Sequence, residues 1–212
     1  MKLLLPLLLA ALPAFTATIT YDNSLPRLFH NIEVSINGTV LSTDAGQIGV
    51  RINYVLPALM YCADPTTPLA AGPTLVDPIS EADYANGGRL AWLYHAYNPY
   101  LTQGWEAAAL QLAIWEVIQD NGADDLLAGL TRITANTENQ VVNLANTMLQ
   151  ASAGQTATGL TFWVPDQGPP AVSQTLFRGV PSVIITTPEP ANALLMGAGL
   201  LLLGAIRRRS RR

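Results

Sequence analysis

Two side chains in this 212-residue chain invite a chemical reading. Cys62 is the single cysteine, and as a thiolate it would be a competent nucleophile. Gln111 lies downstream in the run AAALQLAIWEVIQD, Ala107 to Asp120. A helix there turns about 100° per residue, which gathers Glu106, Glu116 and Asp120 into one sector and turns Gln111 away from it. Ile114, Trp115 and Ile118 follow Gln111 at helical spacing, so the amide occupies the middle of an apolar stripe. A carboxamide aimed at the core needs a partner.

The bulk composition sets limits on that partner. Six of the eleven basic residues lie at the ends: Lys2, Arg207, Arg208, Arg209, Arg211 and Arg212. Residues 18–187 keep five arginines against fourteen acids, a net charge of −9. Such a body has no basic patch to neutralise phosphates, which excludes nucleic acid as a partner. Two histidines and one cysteine without ligand spacing predict no metal site, no phosphate-cradling glycine loop is present, and no cofactor is expected. Met1-Lys2 followed by LLLPLLLAALPAF has the form of a signal peptide, assigned to residues 1–17, and predicts export. In an exported chain a lone cysteine has no internal disulfide partner. It is then a buried apolar filler, the partner of another molecule, or chemically special.

The elements that must position the pair follow in order. TATITY, LFHNIEVSI and TVLST predict strands, with a hairpin turn at Asn37-Gly38 and a second turn at Asp44-Ala45-Gly46. QIGVRINYVLPALMY continues as extended chain interrupted by Pro57 and ends at Cys62, and residues 66–78 read as a loop. Ser80 caps a turn carrying Glu81 and Asp83, RLAWLYHAY (Arg89 to Tyr97) is a short helix, and Glu106 to Asp120 is the helix of Gln111. Thr137 and Gln140 form a capping-box pattern for a third helix. GLTFWVPD, SQTLFRGV and PSVIITT return to strands. The order predicts an α+β domain in which N- and C-terminal strands form a sheet or barrel with a central helical insertion.

Residues 188–212 differ in character. Pro188-Glu189-Pro190 precedes an uncharged apolar stretch at 191–206 and then RRRSRR. A helix over that stretch is slightly short of a bilayer core, although flanking arginines can snorkel. This order closely resembles the PEP-CTERM sorting signal of Gram-negative bacteria. The resemblance implies transient anchoring in the inner membrane through 191–206, an exosortase as processing partner, and delivery to the cell surface or an exopolysaccharide matrix. The rival reading is a plain carboxyl-terminal anchor.

The body resembles a second family. Tyr61-Cys62, followed much later by QLAIW from Gln111 to Trp115, is similar to the thioester domains of bacterial surface adhesins. AWLYHAY ahead of the Gln helix and FWVPD after it fit the same layout. The resemblance implies that the Cys62 sulfur attacks the Gln111 carboxamide, ammonia leaves, and an internal thioester joins strand to helix. Best-known members are large Gram-positive proteins with stalk domains, from which this single small domain departs. In this reading Trp115 shields the bond, His95 is a candidate base, and Tyr94 a candidate donor to the oxyanion. Function would be covalent capture of an amine or hydroxyl on a surface or matrix ligand, a single-turnover event and not enzymatic turnover. Each residue also has a plainer role: a buried amide bonded to backbone for Gln111, core filling for Trp115 and Tyr94, a surface histidine for His95. Alternatives for the whole are a non-reactive matrix protein and, less supported, a cysteine hydrolase pairing Cys62 with His30 or His95.

Overall fold

Asn37 and Gly38 both adopt left-handed backbone (φ 50° and 81°), the geometry of a two-residue hairpin turn. They join β2 (Phe29–Ile36) to β3 (Thr39–Gly46) in the computed structural model, which describes residues 16–120, 124–166 and 173–179. The chain divides into two units, Met1–Ser182 and Val183–Arg212, and every described residue belongs to the first. Most of the expected signal segment, the PSVIITT strand, Pro188-Glu189-Pro190, the 191–206 span and the terminal arginines lie outside the described residues.

The remaining elements are β1 (Ala17–Tyr21), β4 (Ile48–Ile52), β5 (Leu56–Cys62), β6 (Thr74–Ser80), α1 (Gly87–Tyr97), α2 (Gly104–Gln119), β7 (Thr131–Ile133), α3 (Asn139–Ser152), β8 (Leu160–Pro165) and β9 (Leu176–Gly179). The fold is α+β: a closed antiparallel barrel in the order β1-β4-β5-β9-β8-β6, a second sheet β3-β2-β7, and three α-helices. Period-two alternation fills the barrel, with Ile19, Val50, Ile52, Ala58, Met60, Val76 and Leu176 forming one apolar cluster. Tyr61, Phe162 and Phe177 belong to the larger cluster with the helices. Residue Ala17, at the expected cleavage point, is paired with Val76 and buried in the barrel wall.

Three local expectations are corrected. Asp44, Ala45 and Gly46 do not turn; they pair with Asn31, His30 and Phe29, and the chain bends only at Gln47, whose N–H donates to Leu28 O. The segment read as a loop to residue 78 contains β6, held on one side by β1 and on the other by β8. Pro78 is tolerated there because the register carries it beyond the residues that β1 pairs, Thr74 to Val76. Thr137 does not cap α3, which begins two residues later; its hydroxyl donates to Glu33 O on β2 and fastens the approach to the helix.

α2 is the organising helix. It packs against β2, β3, β5, β7, α1 and α3, and every residue from Ala107 to Val117 is buried. Glu106 accepts from the N–H groups of Thr102 and Gln103, the latter closing a capping box with Gln103. Gly104 opens the helix directly on β2: a Cβ there would stand 2.1 Å from Phe29 O. Gly104→Ala should therefore push the start of α2 off the sheet and cost about 1–3 kcal/mol, read as a lower urea midpoint at unchanged slope.

Candidate functional site

Cys62 closes β5 at the rim of the barrel. On one side its register partner is Leu176 of β9; on the other, β4 begins at Ile48, opposite Met60, and leaves Cys62 without a strand neighbour. Gln111 fills that gap. The Cys62 N–H donates to Gln111 Oε1 at 3.0 Å, and Gln111 Nε2 donates to Cys62 O at 2.8 Å. The carboxamide thus stands in for the missing peptide group, and both residues are buried. The partner demanded by an inward-facing amide is the backbone of the single cysteine.

The thiol has its own acceptor, Gln174 Oε1, to which Sγ–H donates at 2.6 Å. Burial pushes the Cys62 thiol up to about 12; the Asp64 backbone N–H and the Trp115 indole pull it down, and the Asp64 carboxylate adds to the rise. At neutral pH the sulfur keeps its proton. Trp115 Nε1 is buried with no acceptor of hydrogen-bonding geometry, although it lies close enough to the sulfur to stabilise a thiolate. Tyr84 Oη donates to Ala63 O at 3.1 Å and anchors the residue after the cysteine.

Beside Cys62 lies a cavity of about 490 Å³, lined by Cys62, Trp115 and Gln174, by the ends of β1 and β4 at Tyr21 and Ile48, by β2, β3 and the loop 65–69, and by Arg27; Gln111 lies behind Cys62 and does not line it. Its size suits a small-molecule or single-sugar ligand. A buried thiol at the wall of a cavity, with a carboxamide held on its own peptide group, can support acyl chemistry in which the Cys62 N–H faces the oxygen that would gain charge.

Cys62, Gln111 and Trp115 are brought together. His95 belongs to a different neighbourhood: its Nε2 lies 3.0 Å from Thr158 O and its ring packs edge-on against Tyr94. Tyr94 in turn packs on Tyr61 and Phe177, and His30 Nε2 lies 3.0 Å from Glu138 Oε1. None of the three lines the cavity. The expected acidic face of α2 is corrected: Glu116 is fully buried, because α2 is enclosed on every side instead of being amphipathic. The uncharged stretch between Glu106 and Glu116 carried that signal. Gln174 was missed, since only the Cys62 to Leu176 register places it against the thiol.

Among the described residues no group of His, Cys, Asp or Glu is arranged to hold a metal ion, and no helix is long and apolar enough to cross a membrane. Comparison with protein-family models, with curated proteins and with solved structures finds no match.

Proposed function

We propose that this is a thioester-type capture domain of an exported surface or matrix protein, with α1, α2 and α3 inserted between the barrel strands that carry the cysteine and those that close the wall. The observation that carries the reading is the docking of the Gln111 carboxamide on the backbone N–H and C=O of the only cysteine, which itself lines the wall of a cavity. Bond formation balances without a cofactor. Sulfur adds to the Gln111 carboxamide carbon, the oxygen draws on the Cys62 N–H, the C–N bond breaks, and the thiol proton leaves on the nitrogen as ammonia. Trp115 helps keep water from the bond. An arriving amine or hydroxyl then takes the acyl group and returns Cys62 to its thiol, so the event happens once per molecule. The tail resembling a PEP-CTERM signal would hold the chain in the inner membrane through 191–206 until an exosortase releases it to the surface or matrix.

A second reading has its own support. Both ends of the Gln111 amide are satisfied by Cys62 backbone, which suits a non-reactive structural protein equally well. Intact mass separates the two. The capture domain is one ammonia lighter than its sequence and gains methylamine on treatment, and both properties vanish in Cys62→Ala. A folded protein of full mass whose thiol alkylates on unfolding would leave only the structural reading. Retention of residues 191–212 on cells would make the tail a plain anchor.

A further inference from the structure

Arg27 is the cation of the cavity wall, and it is held without a counter-ion. Its guanidinium carbon stands 4.2 Å from the Phe29 ring centroid and 5.8 Å from that of Tyr21, and among the described residues no carboxylate lies within ion-pair distance. Cation–π attraction to the two rings holds the guanidinium at the wall and leaves its N–H donors for a two-oxygen acceptor. In a body of net charge −9, other arginines are already engaged: Arg51 with Asp22, Arg89 with Asp124, and Arg132 with Gly129 O. The same cavity offers the hydroxyls of Tyr21, Thr43 and Thr67, for which no protein partner is found among the described residues, beside the apolar wall of Ile48 and Trp115.

Asp44 also reaches the cavity, but it is exposed and its Oδ1 already accepts from Asn31 Nδ2 at 3.3 Å. The balance of available groups is one cation and several hydroxyls, which is the complement of a hydroxylated ring bearing a carboxylate.

We infer that the cavity binds an acidic sugar residue of the hexuronate class, with its carboxylate on Arg27 and a ring hydroxyl presented to the Cys62 sulfur on the cavity wall, where the acyl group of Gln111 would be joined. The covalent half of this inference rests on the thioester reading. In that step the sugar oxygen bonds to the acyl carbon, the carbon–sulfur bond breaks, and the hydroxyl proton ends on Cys62 sulfur, leaving a glutamyl ester. Recognition itself needs no thioester.

The test uses tri-galacturonate, a neutral hexose trimer and a glucosamine trimer. Binding is titrated on the Cys62→Ala protein, and covalent addition is followed by intact mass on the unsubstituted protein, with methylamine as the reactivity control. Tri-galacturonate should bind saturably and add one mole, and Arg27→Gln in the Cys62→Ala background should weaken binding about tenfold or more, the worth of a charge-assisted bidentate contact. Asp44→Asn should change it less than about twofold. Equal binding of the neutral trimer, or indifference to Arg27→Gln in a variant shown folded by its urea midpoint, overturns the inference. Preference for the glucosamine trimer, lost in Asp44→Asn, overturns it in favour of an amine site. If methylamine adds and tri-galacturonate neither binds nor adds, the ligand assignment falls and the thioester stands. If methylamine does not add but tri-galacturonate binds through Arg27, the thioester falls and the sugar site stands.

Discussion

Methylamine treatment is expected to lower the stability of the folded domain by about 4 kcal/mol, the chain-entropy value for releasing a cross-link that closes a loop of this length. The loop runs from Cys62 to Gln111, a separation of 49 residues. In the thioester reading, opening the bond frees the unfolded chain and leaves most of the native packing in place. Gln111→Ala should lose more than that. It removes the cross-link and also strips the Cys62 N–H of its acceptor in a site with no strand on that side; the Cys62 C=O has already given up the Gln111 Nε2 donor with the ammonia. One buried backbone N–H left unpaired costs about 1–3 kcal/mol beyond the cross-link. Gln111→Glu keeps the shape, and with a protonated carboxyl one donor and one acceptor, but has no ammonia to expel; it should show full mass and a smaller loss than Gln111→Ala. Urea midpoints of the untreated, methylamine-treated and substituted proteins, read beside intact mass, test all three. An untreated protein already of full mass, and unmoved by methylamine, defeats the cross-link but leaves the hydrogen-bond cost of Gln111→Ala intact.

The helical phase of α2 was legible because 3.6-residue periodicity depends only on backbone geometry, and it put Gln111 inward before any neighbour was known. The neighbours themselves were not legible. Nothing local to Cys62 indicates that β4 stops two residues short of it, and that shortfall is what makes the carboxamide necessary. Pairing across the barrel likewise decided β6, where local proline content argues for a loop while partners on both sides impose a strand. β7 escaped notice because a three-residue strand has no periodicity of its own and exists by pairing with Val34 to Ile36. Thr137 shows the same competition on a smaller scale. Its sequence context favours a helix cap, but a backbone carbonyl of β2 was the better placed acceptor.

Glu116 should make the domain less stable as pH rises from about 4.5 to about 7, by on the order of 3 kcal/mol. Its carboxyl is pushed up to about 7, chiefly by burial and next by the negative charge of Asp120, while the Asp125 N–H on Oε1 opposes the shift. The other oxygen is buried without a hydrogen-bond partner of its own. In the window between the unfolded and folded values the native state holds a proton that the unfolded chain has released, so each step up in pH favours unfolding until the native group also ionises. Asp22, Glu106 and Glu138 behave oppositely. Hydrogen bonds from Ser24, Thr102 and Gln140 respectively lead in holding them below the usual carboxylate range, so their contribution is present at neutral pH and fades only as acid approaches those lowered values. The two windows do not overlap, which lets one substitution isolate the buried acid. Glu116→Gln can keep the bond from Asp125 and turn an N–H toward Asp120. It should match the parent near pH 5, exceed it by about 2–3 kcal/mol at pH 8, and flatten the slope between. Urea unfolding at the two pH values measures this, and a variant no more stable than the parent at pH 8 would show that Glu116 ionises in the fold as readily as it does in water.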